Sequence, residues 1–173
     1  MSDTARMFQS RPRELARLGA GAAAASFGAL LGHGFRVREP SLAQPAAIGS
    51  ADTGIVFEVA GSVSGLVALL FSSSGCDTVC DCLGAGDATE RRSALREVGN
   101  IVVSRAVSAV ADHLGARVTL SVPVLVNGDA GRTLDRLLSR RGDGVIITTE
   151  LRADGGEPNV LFVIAQDASR PES

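Results

Sequence analysis

The sequence predicts an α+β fold in which two long helices pack on an antiparallel sheet, with a pseudo-two-fold internal repeat. Three observations carry this reading. The chain matches itself at an offset of 83 residues: Ser10 falls on Ser93, Glu14 on Glu97, Leu31 on Leu114, Gly32 on Gly115 and Pro40 on Pro123. Each copy reads as a long helix stopped by Gly, then an extended segment containing Pro. After each copy come two apolar runs joined by a short polar link, the pattern of a β-hairpin, with no helical crossover between them.

In chain order, residues 1–7 read as a tail, and a single domain is expected over 8–167, with halves about 10–84 and 87–167 and a second tail over 168–173. The first helix includes "LGAGAAAASFGALLG", Leu18–Gly32. It follows several Arg residues, as the apolar part of a leader peptide would. It is nevertheless rich in Ala and Gly and shorter than the roughly 20 apolar residues of a membrane span, so a folded helix without membrane insertion is expected. "GIVFEVAG" and "LVALLFS" form the first predicted hairpin. "GCDTVCDCLGAG" reads as a short helix ended by Gly. A second long helix, capped by Thr89 or Asp87, runs to about Leu114 and stops at Gly115. "TLDRLLSRRGDG" reads as a short amphipathic helix with a basic end, and "GVIITTEL" and "VLFVIAQ" as the second hairpin around "RADGGEPN".

Composition narrows the function classes. A chain of 173 residues with 45% hydrophobic and 21% charged residues supports one real core. A net charge of -2 and the absence of Trp and Tyr argue against a nucleic-acid partner. Three Cys, an odd number, argue against a disulfide framework and fit a reducing cytoplasm. Cys76, Cys80 and Cys82 lack the fourth ligand and the spacing of a metal site, so no metal is expected, and the first two read as core residues. His33 and His113 sit near helix C-termini, where His is an ordinary choice.

The second long helix presents two lines. Leu95, Val98, Val102, Ala106, Ala109, Val110 and His113 recur at three- and four-residue steps and form the expected buried stripe. Ser93, Glu97, Asn100, Ser104, Ser108 and Ala111 recur on another face. A solvent-facing side usually carries long charged residues. A low ridge of Ser and Ala, with Glu97 and Asn100 protruding at i and i+3, admits close approach of another surface; packing against a neighbouring helix or sheet is the other reading. The first helix repeats the line as Ser10, Glu14, Arg17, Gly21, Ala25 and Gly28, with Arg17 where the second has Asn100.

Ser-x-x-x-Glu-x-x-Asn in a long helix, duplicated by a repeat and followed by "SVP", resembles the CheC/CheX/FliY family of chemotaxis phosphatases. "ALREVGNIVVSRAVSAVADHLGARVTLSVP", Ala94–Pro123, carries most of the likeness, which extends over about Pro12–Gln166. The resemblance implies hydrolysis of the aspartyl phosphate of a CheY-like response regulator. It implies that Asn100 positions the attacking water and that Glu97 pairs with the regulator's Lys. Ser93, Ser104, Glu14 and Arg17 then belong to the partner-binding faces. Mg2+ is expected on the receiver domain, with no cofactor on this chain. Arg17 departs from the family pattern: a guanidinium donates only and cannot accept a hydrogen bond from water, so the first site is expected to be inactive. The alternative is a non-catalytic module of the same fold that docks a receiver domain, a CheD-like deamidase or a flagellar switch protein.

Overall fold

The computed structural model describes residues 3–42 and 51–168. Five helices and eight strands follow in the order α1 (Asp3–Ser10), α2 (Pro12–Leu31), β1 (Phe35–Val37), β2 (Ser41–Leu42), β3 (Thr53–Gly61), β4 (Gly65–Phe71), α3 (Ser73–Cys82), α4 (Ala88–Leu114), β5 (Val118–Leu120), β6 (Val124–Asn127), α5 (Ala130–Ser139), β7 (Val145–Ala153) and β8 (Asn159–Gln166). Every strand pair is antiparallel, and the sheet order is β1-β7-β8-β4-β3-β5, with β2 also on β7 and β6 also on β3. The expected α+β fold, with two long helices on an antiparallel sheet, is the fold observed.

The repeat is visible in the pairing. Val59 of β3 opposes Leu120 of β5, and Leu151 of β7 opposes Val37 of β1, which lies 83 residues before Leu120. The axis passes between β4 and β8. The edge strands are exchanged: β1 and β2 of the first half pair with β7 of the second, and β5 and β6 pair with β3 of the first. Each half therefore completes the other's sheet, and the halves near 10–84 and 87–167 are not separable units.

Strand alternation sorts the core into two layers. Ile55, Phe57, Val67, Leu69, Phe71, Phe162 and Ile164 face α2 and α4. Val56, Leu66, Ala68, Leu70, Ile146, Val163 and Ala165 face the other way, where Ala130, Leu134 and Leu138 of α5 cover them. The central strands are covered on both faces, which is why "GLVALLF" is apolar throughout rather than alternating.

Both long helices end as the sequence indicates, on Gly32 and Gly115 with φ of 71° and 61°. α4 opens with a capping box: the Asp87 carboxylate accepts from Glu90 N, and the Glu90 carboxylate accepts from Asp87 N. The first helix begins differently from expectation. Pro12 has no N–H to donate and restrains Arg11 out of helical geometry, so α2 starts at Pro12 and Ser10 closes a separate helix. Residues 3–7, expected as a tail, belong to that helix, which buries Ala5 and Phe8. The tail expected from residue 168 lies outside the described residues after 168. Among the described residues no helix is long and apolar enough to cross a membrane.

Val98 is 2% exposed in the layer under the helices, while Ser104 is exposed on the same helix. Val98→Asp is expected to cost about 3–5 kcal/mol, the scale for an uncompensated buried charge. Ser104→Asp should stay within about 0.5 kcal/mol of wild type. Urea unfolding of the two variants checks the orientation of α4, and a greater loss from the Ser104 change would reverse it.

Candidate functional site

α4 turns its buried side to the sheet through Leu95, Val98, Gly99, Val102, Val103, Ala106, Val110 and Ala111. Ser93, Glu97, Asn100, Ser104 and Ser108 are all exposed on the opposite side. Among the described residues no hydrogen bond or ion pair engages the Glu97 carboxylate or the Asn100 carboxamide. The small-residue line thus faces solvent and is not used for packing within the chain. Three assignments at the far end of the helix change. Ala111 belongs to the buried side, Ala109 is half-buried beside the exposed side, and His113 is exposed. The expected stripe keeps the 3.6-residue period, so the difference comes from what the last turns pack against, which periodicity does not report.

Asn100, Ser104, Arg105, Ser108 and Asp112 rim a shallow depression along α4, with Ile101 and Ala109 at its floor. Ser93 and Glu97 lie on the same exposed side, two turns and one turn before it. Gly99 sets the height of this segment. A Cβ at Gly99 would stand 2.8 Å from Ile55 Cγ2 and 3.0 Å from Ile55 Cδ1, so the backbone beside Asn100 lies directly on β3. Close seating on a strand restrains the carbonyls and amides that carry the Asn100 side chain.

The equivalent surface of α2 is built of the same elements but is engaged. Glu14, Arg17, Gly21 and Ala25 are exposed there. The Arg17 guanidinium donates to the Glu39 carboxylate in the link between β1 and β2, and Glu14 lies 3.8 Å from Arg11. Ser10 is not part of this helix; its hydroxyl donates to Met7 O at 3.0 Å. The first motif therefore departs from the second at Ser10 as well as at Arg17. The position matching Glu39 is Val122, between β5 and β6, and it is 81% exposed, with Val124 58% exposed beside it. These two valines went unnoticed in the sequence. Apolar residues on either side of Pro123 in an edge segment were the available signal.

The cysteines take no part in this surface. Cys80 is buried under α4, and burial foremost, with Cys76 next, pushes its thiol up to about 11. Cys76 packs against the same core, and Cys82 is exposed with Sγ 3.8 Å from His33 Nε2. Among the described residues no group of three or more His, Cys, Asp or Glu is placed to hold a metal ion.

A model of the CheC-like family matches residues 90–126, the span of α4 and the strands after it. No curated protein matches significantly. Solved structures share the fold at low identity. The chemotaxis protein CheX from Desulfovibrio desulfuricans is 15% identical with a TM-score of 0.70, over 89% of this chain and 99% of that one. FliY from Thermotoga maritima is 16% identical with a TM-score of 0.65, over 97% and 91%. CheX from Borrelia burgdorferi, in a CheX-CheY-BeF3-Mg+2 complex, is 15% identical with a TM-score of 0.64, over 89% and 98%. The likeness first seen in the motif and its repeat thus holds for the fold of most of the chain.

Gly99→Ala gains about 1 kcal/mol of helix propensity but drives a methyl into Ile55, and overpacking of this kind costs about 1–3 kcal/mol. Gly21→Ala gains the same propensity with nothing within 4 Å of the new methyl. The melting temperature should fall for the first and rise for the second. A rise for both would show that Gly99 does not hold α4 against β3.

Proposed function

We propose that this chain is a phosphatase for a CheY-like response regulator, with Asn100 as the group that positions the attacking water. The observation that supports this most is the unengaged Glu97–Asn100 pair on an exposed small-residue face, inside the segment matched by the CheC-like family model. The Borrelia burgdorferi relative, whose structure contains CheY, BeF3 and Mg2+, makes a receiver domain the natural partner class.

The chemistry asks little of the chain. Phosphoryl transfer depends on in-line placement of water and on neutralised charge. A receiver domain supplies the metal, Mg2+, and the cationic Lys. What remains is to hold one water, and a carboxamide can accept from it and donate beside it. Fixing that water removes part of the entropic barrier. Glu97, one turn before Asn100, provides the opposite charge for the receiver's Lys. Ser93 and Ser104 flank the pair and let the partner surface close over it.

The first site is read as inactive. Arg17 cannot accept a hydrogen bond from water, and its charge is already met by Glu39. Val122, in place of Glu39, leaves the second site without a competing acceptor and with an apolar contact for the partner.

Single-turnover dephosphorylation of a cognate receiver tests the reading. Asn100→Ala should lose on the order of 10²-fold in rate with binding largely kept, because positioning acts in the transition state. Arg17→Ala should match wild type. Arg17→Asn should add no second working site, because Ser10 lies outside α2. Full activity in Asn100→Ala would leave the non-catalytic module, docking a receiver, a CheD-like deamidase or a flagellar switch protein, as the better account.

Glu97→Gln should weaken association several-fold at low ionic strength and far less at high, since salt already screens the charge pair. Equal affinity of wild type and variant at low salt would remove Glu97 from the interface.

A further inference from the structure

The internal symmetry makes each half a template for the other. In the first half Phe27 of α2 stacks on Phe35 of β1, with ring centroids 5.4 Å apart, and meets Phe71 of β4 edge-on at 6.3 Å. Phe27 and Phe71 are fully buried. The matching positions of the second half are Val110 and Val118, at the 83-residue offset, and Gln166, which opposes Val145 as Phe71 opposes Thr53. Two valines and an amide stand where the first half places three rings.

Among the described residues nothing fills the resulting space. A cavity of about 60 Å³ remains, walled by Val110, Val118 and Gln166 with Ala106, Phe162 and, from α1, Phe8. The wall is apolar apart from Ser64 and Gln166, so most of the space offers water no partner. α1 covers it from outside: Phe8 is 4% exposed, and Gln166 Nε2 donates to Ala5 O at 3.3 Å. The Gln166 side chain is itself almost wholly buried, yet among the described residues its Oε1 has no hydrogen-bond partner. An unfilled hollow and an unpaired buried oxygen both cost stability that the first half, with its rings, does not give up.

We propose that this hollow is a binding site for one small, uncharged, apolar molecule, no larger than a single ring. Apolar hollows of this kind take such molecules. The phenyl group of Phe27 shows the shape that the same framework accepts. The site lies on the sheet side of α4, away from the Asn100 surface, and does not rest on the phosphatase reading.

Amide spectra of the full chain, titrated with benzene and equilibrated with xenon, test this. Wild type should give saturable shifts centred on Ala106, Val110 and Val118, and benzene should raise the melting temperature. Val110→Phe fills the hollow from within and should abolish the shifts while keeping the fold. If that variant fails to fold, Val118→Phe serves the same purpose. Phe8→Ala removes the cover and should weaken benzene binding several-fold. Absence of saturable shifts in wild type with either probe, shifts centred elsewhere, or undiminished binding in a folded filled variant would overturn the proposal.

Discussion

The pairing of β4 with β8 is the constraint on which the rest of the structure depends. Seven consecutive register pairs, from Gly65 with Gln166 to Phe71 with Val160, join the two halves along their most buried strands. On one face Val67, Leu69, Phe162 and Ile164 lie beneath the long helices; on the other Leu66, Ala68 and Val163 lie beneath α5. A one-residue slip would exchange the faces of every side chain, so burial on both sides fixes the register. From this seam the hairpins spread outward, and the edge strands of each half close the sheet of the other. α2 and α4 are thereby set side by side, each with its small-residue line toward solvent.

A duplicated frame allows one copy to diverge while the other keeps its contents. On the outside, Arg17 and Glu39 satisfy each other, whereas Asn100 and Val122 are left open. On the inside the difference runs the other way. The first half is filled by Phe27, Phe35 and Phe71, and the second keeps a hollow behind Val110. The half with the complete motif is therefore the less fully satisfied of the two. Unsatisfied groups are costly to cohesion and are the usual material of sites that meet something else.

Much of this was legible in the sequence because the signals were periodic or positional. Gly32, Gly115 and the Asp87–Glu90 box mark helix ends by chemistry that needs no tertiary context. The hairpins follow from apolar runs and polar links, and the 83-residue match gives the pseudo-symmetry. Periodicity also placed Glu97 and Asn100 away from the core, although it misplaced Ala109, Ala111 and His113 late in a long helix. What was not legible depends on which distant residues meet. The exchange of edge strands, the Arg17–Glu39 pair and the Gly99–Ile55 contact join segments far apart in the chain. The break before α2 was visible in Arg11-Pro12, but the helical repeat around it concealed that residues 3–10 fold separately. Offset matching paired Ser10 with Ser93, yet a Pro two residues on gave the pair different backbones.

The central claim is that one face of a two-fold framework works and its twin does not. A footprint of the partner on the chain tests it most directly. Amide resonances of the labelled full chain would be followed while a cognate receiver domain, held in its phosphorylated form, is added. The account predicts that broadening and shifts gather on Ser93–Ser108 and on Val122 and Val124, with the α2 line from Glu14 to Gly28 unmoved. Equal perturbation of both helices, or perturbation of the α2 line alone, would contradict it.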